Sequence, residues 1–258
     1  MHRKMSAAVF MVLTAMFMCG CTSDKNTVGQ STEYNGRGGR TPAETAFLTD
    51  GKEKVCYVQG YETDSDNRPV GAVQAQEKYG SYGGRFIFGK DDRTIRLTFD
   101  EGYENGCTGK ILDILKEKKV TATFYVTLDY VKSSPELVQR MINEGHEVGN
   151  HSCTHPSLPD ISDDMVFEEI HGLETYISDN FGGYKTVTMR PPRGEFSVRT
   201  LRIAKNMGYD TVLWSFAYND WNTDAQPDRD TAYRRITSAT HNGAVYLLHA
   251  VSETNTAI

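Results

Sequence analysis

Two adjacent carboxylates, Asp100 and Glu101, stand where a predicted strand ends. The residues before them, 94–99, alternate between polar and apolar side chains with the period of a β-strand, and Gly102 marks a turn directly after the pair. In open α/β sheets and in β/α barrels, residues just past the carboxyl end of a strand form the functional edge. An Asp-Glu pair before glycine is also ordinary turn composition, so its significance depends on the residues further along the chain.

Side chains capable of chemistry also come after four later predicted strands. They are, in chain order, His151 with His155-Pro156, Arg190 to Gly194, Asp220-Trp221, and His249. Unrelated surface residues would not collect at one edge, so the pattern predicts a single site. Two histidines four residues apart, with carboxylates nearby, can present nitrogen and oxygen ligands to a divalent ion. Such a histidine pair on its own is more often structural or exposed.

Strand-like and helix-like segments alternate from residue 94 onward. The predicted strands are 94–99, 122–126, 147–150, 187–189, 211–214 and 244–248, and the predicted helices are 106–118, one that starts at Pro135, 161–181, 200–207 and 231–239. Helices between strands at this spacing imply parallel strands with right-handed crossovers. The sequence therefore predicts an α/β protein with a distorted (β/α) barrel. The chain stops at Ile258, so we expect this barrel to be incomplete at its C-terminus.

The beginning of the chain predicts export. Residues 1–20 combine a positive start with an apolar run that is too short to span a membrane comfortably. This segment resembles a bacterial lipoprotein signal, which implies cleavage before Cys21 and lipidation of its thiol. A plain secretory signal that is cut elsewhere is the alternative. Residues 21–50 are polar and predict a flexible tether, and residues 51–92 predict an irregular N-terminal lead-in that packs on the catalytic domain.

Composition limits the possible partners. The 258 residues suffice for one sizeable core, and the net charge of −6 gives no indication of a nucleic-acid partner. Three cysteines remain beyond the signal: Cys56, Cys107 and Cys153. None has the Cys-x-x-Cys spacing of a metal site, and we expect most of them to be buried as small apolar residues.

Five motifs in order resemble those of the polysaccharide deacetylase family (carbohydrate esterase family 4). They are Leu97 to Gly102, His151 with His155-Pro156, Arg190 to Gly194, Asp220-Trp221, and Leu247 to His249. The resemblance covers about residues 93–258. Further details resemble the delta-lactam-biosynthetic de-N-acetylases of spore peptidoglycan: Gly102 to Gly106, Lys110 to Asp113, Val148 to Ser152, and Arg193 where the wider family has an aromatic residue.

The resemblance implies a metal site. His151 and His155 would hold a divalent ion, with zinc as the expected metal. Glu101 departs from the family, which has an Asp ligand at this position, and from the resembling branch, which has Asn. Glutamate adds a methylene to the Asp side chain, so Glu101 either coordinates the metal from a shifted position or lies behind the ligands.

The resemblance also implies how acetyl groups would be removed. Asp100 would take the proton of the attacking water, and His249 would protonate the leaving amine. Arg190 would keep Asp100 ionised, Asp220 would orient His249, and Trp221 would form a wall of the site. A backbone N–H near Arg193 would help the metal to stabilise the oxyanion.

The function implied is hydrolytic N-deacetylation of peptidoglycan amino sugars, with N-acetylmuramic acid and the muramic delta-lactam of spore cortex as the expected target. An N-acetylglucosamine or chitooligosaccharide deacetylase, an O-acetyl esterase and a non-catalytic wall-binding protein remain alternatives. The expected partners are peptidoglycan glycan strands and, through the lipid anchor, the outer face of the cell membrane. We expect a monomer.

Overall fold

The computed structural model describes residues 51–258. The predicted signal, the predicted lipidation site Cys21 and the predicted tether lie outside the described residues. Among residues 51–258, no helix is long and apolar enough to cross a membrane. Within the same range no disulfide links the cysteines, of which Cys107 is buried, Cys153 is half-buried and Cys56 is exposed, contrary to expectation.

The described chain alternates strands and helices. The strands are β1 Val55–Cys56, β2 Gly84–Arg85, β3 Ile95–Glu101, β4 Thr123–Val126, β5 Glu147–Asn150, β6 Thr188–Met189, β7 Glu195–Phe196, β8 Asp210–Val212, β9 Phe216–Ala217 and β10 Ala244–His249. The α-helices are α1 Val70–Tyr79, α2 Thr108–Lys118, α3 Leu128–Ser133, α4 Pro135–Asn143, α5 Asp163–Asn180, α6 Val198–Asn206 and α7 Arg229–Ser238. Every helix and strand predicted from residue 94 onward is present, with its bounds shifted by a few residues at most.

One parallel sheet positions the site. Its strand order is β2-β8-β6-β5-β4-β3-β10-β9, and each neighbouring pair is parallel. The sheet curls into a half-barrel, which confirms the predicted distorted (β/α) barrel. Because the strands run in one direction, their carboxyl ends meet at one edge. There His249 of β10 lies directly beside Asp100 of β3.

The strand pleat separates two environments along β3. Phe99 stacks on Phe124 of β4, with their ring centroids 5.1 Å apart, and both belong to the core between the sheet and helices α2 and α4. Successive side chains of a strand point to opposite faces, so Thr98 and Asp100 point the other way, towards the inside of the half-barrel. Glu101, the last residue of β3, falls on the face of Phe99.

The N-terminal lead-in is more regular than predicted. It contains α1, and its strand β2 forms one edge of the main sheet by pairing with β8. Its first strand, β1, pairs with β7 in a separate antiparallel ribbon. Helix α1 escaped prediction because it has no strong apolar stripe: it contacts the core through the small residues Ala72 and Ala75, and through Tyr79 at its end.

Candidate active site

A cavity of about 830 Å³ opens at the carboxyl edge of the sheet. It is lined by the predicted site residues Asp100, His151, His155, Arg193, Trp221 and His249. Arg190 and Asp220 lie directly behind this lining and are completely buried. The structure thus brings together every predicted site residue of the described chain except Glu101.

Arg190 holds Asp100 in place. Its Nη1 donates to Asp100 Oδ1 at 2.7 Å, and its Nη2 donates to the Thr98 hydroxyl at 2.8 Å. The guanidinium also lies 4.3 Å from the ring centroid of Tyr125, so it is held between the carboxylate and an aromatic face. Burial of Asp100 opposes its ionisation and is the largest single effect, but the charge and hydrogen bond of Arg190, together with the two nearby imidazoles, outweigh it and lower the pKa of the carboxyl group. Asp100 is therefore an anion at neutral pH.

His249 faces this carboxylate from the neighbouring strand. Its Nδ1 donates to Asp220 Oδ1 at 2.8 Å, and its backbone N–H donates to Asp220 Oδ2 at 2.8 Å. Burial alone would lower the pKa of His249, but the hydrogen bond and charge of Asp220 outweigh it, and the pKa is raised. The cavity thus pairs an ionised carboxylate with an imidazole that favours its protonated form.

The two predicted metal ligands lie together. The ring centroids of His151 and His155 are 4.9 Å apart. Burial lowers the pKa of His151. Burial and the neighbouring His151 together lower the pKa of His155 to about 4. Both rings are therefore neutral at neutral pH. Neutral imidazole is the form that binds metal ions.

The loop that carries these histidines is held by its own polar contacts. Asn150 at the end of β5 accepts from the backbone N–H of Ser152 at 2.9 Å, and the Ser152 hydroxyl accepts from the N–H of His155 at 3.0 Å. Ser152 and His155 adopt φ values of 68° and 58°, and Arg193 on the opposite loop has a φ of 60°. Left-handed backbone at non-glycine residues is costly, and it persists where the surrounding structure enforces it, often at functional sites.

Glu101 lies away from the cavity. Its carboxylate is completely buried on the helix-facing side of β3. Neither of its oxygens has a hydrogen-bond partner of ordinary geometry, and the nearby Thr108 hydroxyl offsets burial only in part. Burial, followed by the charges of Glu104 and Asp100, raises the pKa of Glu101 well above its usual range. In this structure Glu101 faces the core and not the predicted metal ligands.

With Glu101 turned away, the remaining candidate ligands are the imidazoles of His151 and His155, a ligand type that suits a divalent cation. His151 Nδ1 donates to the backbone carbonyl of Arg190 at 2.8 Å, which leaves Nε2 without a proton. This Nε2 lies 3.6 Å from Asp100 Oδ2, so two electron-pair acceptors face each other, an arrangement that a cation between or beside them stabilises. Within residues 51–258 no three His, Cys, Asp or Glu side chains converge as a complete ligand set. The side chains that could hold a cation here are therefore the two imidazoles, with the carboxylate of Asp100 nearby.

One residue that supports the site was missed by sequence analysis. Asn255 donates to Asp220 Oδ2 at 2.7 Å and to the backbone carbonyl of His249 at 3.0 Å. The segment after β10 therefore holds Asp220 in position. A single Asn near the end of the chain gave no pattern from which this contact could have been predicted.

Comparison with known proteins agrees with this geometry. The family model for polysaccharide deacetylase matches residues 89–212. The peptidoglycan-N-acetylmuramic acid deacetylase PdaA of Bacillus subtilis is 42% identical over 179 residues, which cover 69% of this chain and 67% of that protein. A chitooligosaccharide deacetylase of Rhizobium leguminosarum bv. trifolii is 37% identical over 163 residues, which cover 62% of this chain and 73% of the relative.

A solved structure shares the fold. The structure of B. subtilis PdaA, a family 4 carbohydrate esterase, matches with a TM-score of 0.74 and 38% identity, covering 80% of this chain and 88% of the other. Enzymes of this family are hydrolases that act on amide bonds and are in general metal-dependent. The chain belongs to the polysaccharide deacetylase family, carbohydrate esterase family 4.

Proposed function

We propose that this protein removes the N-acetyl group from amino sugars of peptidoglycan, with N-acetylmuramic acid as its target, as in formation of the muramic delta-lactam of spore cortex. One observation carries the proposal: Asp100, ionised by Arg190, and His249, protonated through Asp220, face one cavity. Amide hydrolysis needs this pair, because water must lose a proton and the departing nitrogen must gain one. The relative PdaA is named for action on N-acetylmuramic acid.

The two residues would act in turn. Asp100 accepts a proton from water as the water oxygen bonds to the acetyl carbon. His249 then donates its proton to the sugar nitrogen as the carbon–nitrogen bond breaks, so the products are acetate and a free amine. His151 and His155 would hold a divalent metal, for which zinc is the expected ion, and this metal would supply a Lewis acid for the acetamide carbonyl.

The direct test is acetate release from purified peptidoglycan, with mass analysis of the sugar that loses its acetyl group. Deacetylated muramic acid supports the proposal. Loss of acetyl groups from glucosamine alone would assign the protein to the second candidate, a chitooligosaccharide-type deacetylase, which the Rhizobium relative favours. Release of ester-linked acetate alone would indicate an O-acetyl esterase. If neither amide-linked nor ester-linked acetate is released, the protein would be assigned to the non-catalytic wall-binding proteins. Full activity in a strong chelator would contradict the metal assignment.

Arg193 is the residue that we expect to select muramic acid. Muramic acid differs from glucosamine by a lactyl ether, which ends in a carboxylate once the stem peptide is removed. Arg193 is exposed, lines the cavity and lies near His155, whose carbonyl it contacts at 3.4 Å. Within residues 51–258 it forms no ion pair: Glu195 pairs with Lys54, and Asp220 pairs with His249. Its guanidinium is thus available for a carboxylate, which it can bind with two parallel hydrogen bonds.

The corresponding prediction concerns substrate preference. Arg193→Lys and Arg193→Tyr should lower kcat/KM roughly tenfold to a hundredfold on muramic-containing glycan without stem peptides, because a charge-assisted hydrogen bond is lost. The low activity on N-acetylglucosamine oligomers should change little. Equal losses on both substrates would assign Arg193 to the architecture of the loop.

The proposed location is the outer face of the cell membrane. Acyl chains on Cys21 would anchor the protein there, without a spanning helix. Cys21→Ser should therefore move the protein from the membrane to the soluble extracellular fraction, which fractionation and immunoblotting would measure. A variant that stays in the membrane fraction would indicate an uncleaved N-terminal anchor instead.

A further inference from the structure

A second cavity lies beside the active-site cavity and shares a wall with it. This lateral cavity has a volume of about 590 Å³. The shared wall consists of Trp214, Ala217, Tyr218 and Trp221, which line both cavities. The opposite wall is formed by the lead-in segment 58–69 and by the end of α7. The two cavities are therefore adjacent, and the half-exposed Trp221 lies at their common boundary.

The lead-in segment is fixed in place at both ends. At one end Gln59 accepts from Trp214 Nε1 at 2.9 Å, and at the other Asn67 donates to the backbone carbonyl of Ser238 at 2.9 Å. Gly71 in the first turn of α1 permits close contact with the segment, because a Cβ at this position would lie only 2.5 Å from the carbonyl oxygen of Gln59. The wall of the lateral cavity is thus a built part of the fold, since its contacts hold it in a defined position.

The lining has the chemistry of a site for an acidic saccharide. Tyr61 is fully exposed, with a relative exposure of 102%, and Trp221 is exposed by 51%. Such rings offer an apolar face together with a polar tip. Arg235 is the charged side chain of this lining, it forms no ion pair within residues 51–258, and no carboxylate lines the cavity with it. This is a local positive charge on a protein whose net charge is −6.

We propose that the lateral cavity binds the neighbouring sugars of the same glycan strand. Tyr61 and Trp221 would pack against pyranose faces, and Arg235 would bind the lactyl carboxylate of a neighbouring muramic unit. This inference rests on the proposed function, since it extends the substrate from one sugar to a strand. A peptide fits less well, because β9, the strand at this edge of the sheet, has only two residues and Gln59 already contacts the carbonyl of Ala217 at 3.4 Å.

The test compares kcat/KM for acetate release from a muramic-containing disaccharide and octasaccharide, both without stem peptides. The wild type should prefer the octasaccharide by about tenfold or more, the size of effect expected for one charge-assisted hydrogen bond. Arg235→Gln should remove most of this preference, and Tyr61→Ala should reduce it about fivefold at most, since an aromatic contact contributes less. In each variant, kcat/KM should fall several times less on the disaccharide than on the octasaccharide. Tyr233→Ala is the matched control, because Tyr233 is an exposed aromatic on α7 that lines neither cavity.

Three results would overturn the inference. An unchanged preference in both variants, with an active wild type, would show that the lateral cavity does not bind glycan. Losses that appear only on fragments that retain their stem peptides would assign the cavity to peptide. Absence of acetate release by the wild type from either fragment would overturn the proposed function, and with it the inference that depends on it.

Discussion

Asp100 and Glu101 are consecutive carboxylates on one strand, yet their environments differ in almost every respect. Asp100 points into the half-barrel, where Arg190 donates to it at 2.7 Å and its pKa is lowered. Glu101 points into the helix-facing core, where neither oxygen has a hydrogen-bond partner of ordinary geometry and its pKa is raised. Both side chains are largely buried, so burial alone does not explain the difference. The deciding factor is the cation that one of them has and the other lacks.

The comparison changes the meaning of the unusual residue in this chain. The raised pKa of Glu101 favours its neutral form, which in charge is equivalent to Asn, the residue of the branch that this chain resembles. The added carboxyl group therefore need not bring a further negative charge to the active site. Two carboxylates with opposite pKa shifts are also a recurrent arrangement in enzymes, but there both act on the substrate, whereas here only Asp100 lines the cavity.

The largest expected effect is on catalysis and separates the two carboxylates directly. Asp100→Asn keeps the shape of the side chain but removes the proton acceptor, so kcat should fall by about two to four decades. His249→Ala should cause a loss of the same order, because it removes the proton donor. The matched variant Glu101→Gln should retain kcat within about tenfold. Acetate release measures the rate, and circular dichroism with metal analysis checks that the fold and bound metal are intact.

A fall in kcat of similar size in Glu101→Gln would contradict the proposed difference between the two carboxylates, since it would place Glu101 among the catalytic residues. Near-normal turnover in Asp100→Asn would remove Asp100 from its assigned role. Loss of bound zinc in Glu101→Gln, measured at equal protein concentration, would return Glu101 to the ligand set. His151→Ala is the positive control for that measurement, because it removes a predicted nitrogen ligand.

A smaller effect is expected from Asp220, the partner of His249, and it concerns the pH dependence of the rate. His249 must be protonated, so activity is lost as the pH rises through its pKa, which Asp220 raises above the usual value of about 6.5. Asp220→Asn removes the charge that raises this pKa, so the alkaline limb of the kcat/KM profile should move to lower pH by about one unit. The acid limb depends on ionised Asp100, whose pKa is lowered, and it should move less than the alkaline limb. An unmoved alkaline limb would show that another group controls it.

The elements of the fold could be predicted because each strand of the main body has a strong local pattern and its polar residues come directly after its end. The position of Glu101 could not be predicted in this way, since the sequence pattern ended the strand at residue 99. In the structure β3 continues to Glu101, so the alternation of faces continues through the two carboxylates. A two-residue difference in the strand end thus decides which of them lines the cavity.

Contacts between distant segments were the other source of error. The pairing of β2 with β8 joins residues that are more than a hundred positions apart, and β2, with two residues, is too short to show a pattern. The support of Asp220 by Asn255 likewise depends on where the end of the chain folds back. Local sequence patterns contain no information about such pairings, because tertiary packing determines them.

The smallest expected effect is on stability, and it tests the raised pKa of Glu101 without any substrate. A carboxyl group whose pKa is raised on folding binds its proton more tightly in the folded protein than in the unfolded chain. Its contribution to stability is fully present below the unfolded pKa of about 4.3 and is lost as the pH rises towards the folded pKa, at up to about 1.4 kcal/mol per pH unit. Glu101→Gln removes this titration, so its free energy of unfolding, measured in urea at several pH values between 5 and 8, should decline less with pH than that of the wild type. Asp100→Asn is the opposite control: the pKa of Asp100 is lowered, so its contribution is present above the unfolded pKa and is lost as the pH falls. Parallel wild-type and Glu101→Gln curves would show that Glu101 is ionised in the folded protein, and that a partner for its charge, such as a bound cation, has to be found.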